Sequence, residues 1–246
     1  MSQRLKLILA YDGTPFAGWQ SQPNGNAIQD HLERAFERVG GQRVRVHGAG
    51  RTDAGVHALA QCAHVDVTNE RFPVTRWLAA LNGVLPPTIR VLRCQRVSSD
   101  FHARFSATGK AYRYRIWSAP TLPPFEYGRA WHVIAPVDLR LMQSTAAQFV
   151  GRHNFGGFAA NRGKKELNTS RTVHSFVVRR RGPCITLDID GDGFLYKMAR
   201  LMVGSLVQHA SGKLPIEELT GRLSGRIGKA RLVAPAGGLF LLRVRY

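Results

Sequence analysis

The sequence predicts an α+β fold built as two similar mixed halves. Segments with strand-like alternation and segments with helical periodicity succeed one another along the chain. Neighbouring strand segments are adjacent and suit antiparallel pairing, and the second half repeats the style of the first, which argues against a doubly wound parallel sheet. At 246 residues the chain can bury a real core, in one large domain or two closely joined ones.

Leu5, Leu7, Leu9 and Tyr11 alternate with Arg4, Lys6, Ile8 and Ala10, which reads as a first strand ending in the turn DGTPF. A helix follows, with Asn26 as its cap, Ile28, Leu32, Ala35, Phe36 and Val39 at helical spacing, and Gly40-Gly41 as its stop. Arg43 to His47 and Ala58 to Val67 are expected strands flanking the stretch GAGRTDAGVHA, so Asp53 falls on a connection between two strands. Loops carried on a rigid sheet are frequent carriers of catalytic groups. A second helix over Val74 to Val84 and a strand over Ile89 to Val97 complete the first half. In the second, Lys110 to Ser118 is an expected strand, Leu139 to Val150 a helix, Thr172 to Arg181 with Cys184 to Asp190 a hairpin, Phe194 to His209 a long apolar helix, and Leu239 to Tyr246 a last strand. Asn161 to Arg171, with Arg162, Lys164, Lys165 and Arg171, is the expected mobile basic loop. No short-period repeat or low-complexity tract appears.

The 35 Lys and Arg against 16 Asp and Glu give a formal charge of +19. The basic residues recur along the whole chain, which points to a polyanionic partner, because neutralising phosphates releases condensed counterions. Cys62, Cys94 and Cys184 are an odd, widely spaced set without a CxxC pair, which argues against a disulfide framework or zinc site and for a reducing, cytoplasmic setting. No apolar run is long enough to span a bilayer, and MSQRLK is not a signal peptide, so no membrane partner is expected.

Asp188-Ile-Asp190-Gly-Asp192-Gly193 matches the first half of a calcium loop, yet the position that needs a bidentate Glu is Ala199, and Leu187 and Ile189 alternate with the acids as in a strand. A strand end and turn is the better reading, and no metal site is expected. GAGRTDAG fits neither a dinucleotide fingerprint nor a P-loop, so no nucleotide cofactor is expected. The histidines form no HExxH, no GxSxG accompanies them, and His57 reads as a satisfied turn or strand residue. For Asp53 the loop alone leaves two readings open, an Asx-type turn or a reactive carboxylate. Tyr112 and Tyr114 alternate with Arg113 and Arg115, so one strand face offers rings and the other cations. That pattern suits an ordinary core face, or a surface that stacks nucleobases and holds phosphates.

YDGTPFAGWQ, GAGRTDAGVHALAQCAHVD, LNGVLP, FHARFSATGKAYRYRI, GDGFLYKMARLMVGSL and the ending GLFLLRVRY resemble, in order and over almost the whole chain, the tRNA pseudouridine synthase A family. GRTDAGVHA is the most specific of these blocks. Cys62 and Ala199, where the family more often has valine, are apolar departures. The resemblance implies a domain over 1–106 carrying the Asp53 loop, a domain over 107–246, a joined central sheet with the active cleft between the halves, and a homodimer that binds tRNA. It implies isomerisation of uridine to pseudouridine at positions 38, 39 and 40 of the anticodon stem-loop, with no cofactor and no metal. By the same resemblance Asp53 matches the catalytic aspartate, Arg200 its ion-pairing arginine, Tyr112 the tyrosine that stacks on the target base, Arg51 an arginine associated with base flipping, and Leu239 a pocket-lining leucine. A lone acid in a basic chain then makes sense: a polyanion needs cations everywhere except at the reacting carboxylate. A non-catalytic RNA-binding protein of the same fold is the alternative from another class; a glycosylase or methyltransferase is disfavoured, since no cofactor loop is present.

Overall fold

The computed structural model describes residues 3–23, 25–68, 72–161, 163 and 168–246. Arg162, Lys164 and Lys165 of the expected basic loop lie outside the described residues. The chain forms two compact units, Met1–Thr108 with Phe240–Tyr246, and Gly109–Leu239.

In the first unit, β1 (Gln3–Tyr11) lies between β4 (Ile89–Val97) and β3 (His57–Val67), antiparallel to both. The last strand, β10 (Leu239–Arg245), runs parallel to β3, with Phe240 opposite His57 and Leu241 opposite Ala58. Leu5, Leu7, Leu9 and Tyr11 are all buried, as their alternation predicts. Helices α1 (Ile28–Gly40) and α2 (Val74–Val84) pack together through Phe36 and Trp77, whose rings lie 5.2 Å apart.

Two local expectations fail here for identifiable reasons. Asn26 does not cap α1: its side-chain amide donates to the Pro15 carbonyl, and the first free amide, on Ala27, donates to Asp30 at 2.9 Å. Arg43–Val46 is not a strand, because the Val46 amide donates to the Glu33 carboxylate on α1; only His47–Gly48 (β2) pairs, with His64 and Ala63 of β3. The Gly41 stop stands, with a left-handed φ of 71° and its amide on the Glu37 carbonyl.

In the second unit β5 (Gly109–Trp117), β9 (Cys184–Gly191), β8 (Ser170–Arg181) and β7 (Gly151–Asn154) follow one another antiparallel, and β6 (Trp131–His132) adds to β5 in parallel. Asp188 and Asp190 sit in β9, as the strand reading of the calcium-like stretch requires. Helix α3 (Leu139–Ala147) ends before the expected Val150, where the amides of Phe149 and Val150 turn back to Ala146 and Ala147 and lead into β7. Helix α4 (Met198–Ala210) is buried on almost every side, which explains its all-round apolar sequence. It starts at Met198 rather than Phe194 because Lys197 takes a left-handed φ of 59°. Helix α5 (Ile216–Leu223) and β7 are additions that no sequence expectation covers.

A histidine cluster on the first unit links this fold to pH. His64 is buried, its ring 4.5 Å from His102 and 4.9 Å from His47, and its Nδ1 accepts the Ala103 amide. Burial, with His102, Arg4 and His47 nearby, pulls its pKa from 6.5 down to about 4, against an opposing pull from Asp66. An unfolded chain takes up that proton near pH 6.5 while the folded chain does not until about pH 4. His64 therefore supports folding fully above 6.5 and removes about 3 kcal/mol of stability as pH falls through that window. His64→Gln, which keeps an acceptor for Ala103, should flatten urea-denaturation stability between pH 7 and 4.5; an unchanged slope would rule this linkage out.

Candidate active site

Asp53 stands on the loop between β2 and β3, and that loop is held from several sides within its own unit. The Tyr11 hydroxyl, at the end of β1, meets the Thr52 hydroxyl at 2.9 Å. Burial pushes the Tyr11 pKa up to about 12, so it remains a neutral hydrogen-bonding group. The Trp19 amide donates to the Thr52 carbonyl, while the Trp19 carbonyl accepts from Gln29 in the first turn of α1. The Gln61 side-chain amide, on β3, donates to the Gly50 carbonyl at 2.9 Å. Within the turn the Val56 amide donates to the Asp53 carbonyl, and Gly55 supplies the left-handed φ of 79° that the reversal needs. The segment DGTPF backs the turn so closely that a methyl group on Gly13 would lie 2.1 Å from the Val56 carbonyl oxygen. The result is a half-buried carboxylate on a backbone fixed by three separate elements.

His57, four residues on, is part of that scaffold. It is buried, stacks on Phe240 at 4.5 Å, and its Nδ1 accepts the Gly13 amide at 3.1 Å. The same Nδ1 lies 3.2 Å from an Asp12 carboxylate oxygen. Arg51 is exposed two residues before Asp53, its Nε donating to Gln20 at 3.1 Å.

The other three candidates belong to the second unit. Tyr112, on β5, is 8% exposed and meets Phe194 edge-on at 4.9 Å. Phe194 begins the stretch that leads into α4, where Arg200 lies in the first turn. Arg200 Nε donates to the Ala234 carbonyl at 2.7 Å, and the Ala234 amide donates back to the Arg200 carbonyl. Tyr114 closes the same region: its hydroxyl donates to the Pro235 carbonyl at 2.7 Å, and burial raises its pKa, partly opposed by the Arg200 cation. Leu239, buried at the start of β10, ends that 234–239 segment. One loop thus connects Arg200, Leu239 and the tyrosine face of β5.

The arginines of β5, whose alternation with the tyrosines suits either an ordinary face or a phosphate-holding one, are both ion-paired. Arg113 is held bidentate by Asp188 at 2.7 and 2.8 Å, and Arg115 by Glu126 at 2.7 Å. Tyr114 is fully buried, which leaves Tyr112 as the only ring of the pair with any exposure. Several acids of this basic chain are engaged likewise, Asp66 by Arg4 and Glu218 by Arg222.

Sequence reasoning passes over the supporting groups Tyr11, Gln61 and the 234–235 carbonyls. The one available signal was the strand-end position of Tyr11, since a buried tyrosine hydroxyl requires a partner. Among the described residues, no group of three or more His, Cys, Asp or Glu is arranged to hold a metal ion, and no helix is long and apolar enough to cross a membrane. All three cysteines are free.

Residues 7–106 and 145–246 match the family described as tRNA pseudouridine synthase. The tRNA pseudouridine synthase A of Akkermansia muciniphila is 45% identical over 251 residues, spanning 99% of this chain and 95% of the relative. The protein of that name from Acetivibrio thermocellus is 40% identical over 245 residues, spanning 99% of this chain and all of the relative. That from Halalkalibacterium halodurans is 41% identical over 239 residues, spanning 96% and 90%.

Proposed function

Because this chain belongs to the tRNA pseudouridine synthase family, we propose that it isomerises uridine to pseudouridine at positions 38, 39 and 40 of the tRNA anticodon stem-loop, as a cytoplasmic enzyme. The observation that carries the reading is the near full-length identity with named relatives, together with the rigid support that this chain gives Asp53. In the reaction the C1′–N1 bond breaks, the uracil turns, and a C1′–C5 bond forms. The hydrogen on C5 leaves as a proton and N1 takes one up, so atoms and electrons balance without an oxidant or a donated group.

Asp53 serves as the reacting carboxylate, either adding to an electrophilic carbon or removing a sugar proton; both routes require it ionised. Entry of the base strips water from the carboxylate, and a cation offsets the penalty of that desolvation. Arg200 is assigned that role. Tyr112 is assigned as the ring beside the target uracil, Leu239 as an apolar wall, and Arg51, exposed next to Asp53, as the group that takes the place of the extruded base.

Incubation with unmodified tRNA, in chelator and without cofactor, followed by carbodiimide-blocked primer extension, tests the whole. Stops at the anticodon-stem uridines are the expected result. Binding of tRNA without any stops would instead make the chain a non-catalytic RNA-binding protein.

The functional unit is a homodimer in this reading. Phe125, Tyr127 and Ile134 are 87%, 77% and 69% exposed, a concentration of large apolar side chains in one stretch that favours burial against another surface. Sedimentation equilibrium should give twice the chain mass for the wild type and the chain mass for Phe125→Asp/Tyr127→Asp. A monomeric wild type would remove the dimer from the reading.

A further inference from the structure

A polar cavity opens in the second unit where β7 and β8 meet the turn after β9. It is open to solvent, offers about 450 Å³ and is lined by Arg152, Asn168, Arg171, Thr172, Asp192 and Gly193, among others. Two arginines therefore border one space. Arg152 is exposed on β7 directly opposite Thr172, and among the described residues its side chain has no ion pair or hydrogen bond. Arg171 is differently placed. Its Nη1 donates to the carbonyls of Asn168 and Ser170, and its side chain passes over Gly193, where a methyl group would meet it at an ordinary contact distance of 3.4 Å. Both oxygens of Asp192 accept the Thr172 amide at 3.0 Å, which fixes the turn that forms the floor.

We infer that this cavity binds a phosphodiester of the RNA backbone, with Arg152 and Arg171 as the cations that hold it. Two observations and a general property of arginine meet in it. The cavity is polar and carries two cations against one carboxylate, which is itself engaged by the backbone. Arginine matches a phosphate by presenting several donors in a fixed fork. The floor residue Gly193 is followed at once by Phe194, whose ring packs against Tyr112, so a phosphate held here lies along the chain segment that also shapes the surroundings of the proposed base-stacking tyrosine. A backbone clamp at that place sets where the strand runs and carries no base preference of its own. The inference rests on the tRNA isomerase reading for its ligand.

The test uses the full chain and unmodified tRNA. Arg152→Ala should weaken tRNA binding about five- to tenfold at moderate salt and reduce the slope of log affinity against log salt by about one, the signature of one lost phosphate contact. Most of the loss in turnover should fall on KM rather than kcat, and Arg152→Lys should restore the salt slope. Unchanged affinity and an unchanged slope in Arg152→Ala would overturn the assignment. So would a cavity that takes only a free anion: inorganic phosphate would then raise the melting temperature of the wild type and not of Arg152→Ala, with tRNA affinity equal in both. Because these readouts measure binding, they stand apart from the appearance of pseudouridine, and failure of the isomerase reading is recognised separately by missing primer-extension stops.

Discussion

Asp53→Asn should lower turnover by about four orders of magnitude or more, the scale seen when a reacting side chain is removed from other enzymes. The amide has nearly the same shape but neither the charge to attack carbon nor the basicity to take a proton. Affinity for tRNA should stay within a few-fold, because phosphate contacts dominate binding. The fold should also survive. Four bonds that hold the turn, Tyr11 to Thr52, Trp19 to the Thr52 carbonyl, Gln61 to the Gly50 carbonyl, and Val56 to the Asp53 carbonyl, are made by other atoms and remain in the variant. Single-turnover kinetics with labelled tRNA, beside a melting curve, separates the two effects. Near wild-type turnover in this variant would return Asp53 to the plain turn reading.

Tyr112→Ala should have the second-largest effect, acting on both stability and chemistry. At 8% exposure, edge-on to Phe194, the ring is partly core, so truncation should lower stability, with about 3–5 kcal/mol as the scale for a fully buried aromatic. If the ring also stacks on uracil, turnover per folded molecule should drop roughly 5- to 150-fold, corresponding to the ~1–3 kcal/mol of base–aromatic stacking. Tyr112→Phe keeps both ring and packing and should retain most of the activity. The measurement is single-turnover rate normalised to folded fraction, taken well below the variant's melting temperature. Normal activity per folded molecule in Tyr112→Ala would make the residue packing alone.

These two residues differ in how far the sequence could describe them. The turn around Asp53 is legible because its cause is local: a glycine for the left-handed φ, an Asp and a Thr, and strand alternation on the downstream side, all within eleven residues of chain. The buried face of β1 is legible for the same reason, since the alternation of Leu5, Leu7, Leu9 and Tyr11 repeats with the period of the pleat. The turn that joins β8 to β9 falls at Gly182, with a φ of 57°, between two runs that each alternate on their own. Local sequence also places the buried helix α4, though not its first residue.

Tertiary structure alone decided the partners. Nothing within β10 says that Phe240 will lie beside His57, or that the two rings will stack, because that choice is made by competition among distant strands for the edge of β3. Asn26 has the chemistry of a cap and loses the position to Asp30, since the chain entering α1 draws its amide to Pro15. Arg43–Val46 has the composition of a strand, yet its Val46 amide is taken by a carboxylate on α1. Arg113 and Arg115 leave open whether they are an ordinary solvated face or a phosphate-holding one, and only the folded chain shows them paired with Asp188 and Glu126, 75 and 11 residues away. The sequence by itself determined the class of fold, most of the strand and helix segments and the turn that carries Asp53, because periodicity and turn chemistry act over a few neighbouring residues. Which hydrogen bonds hold that turn, and which arginines keep their charge available for RNA, depended on contacts between residues far apart in the chain, and those form only when burial makes every unpaired polar group costly.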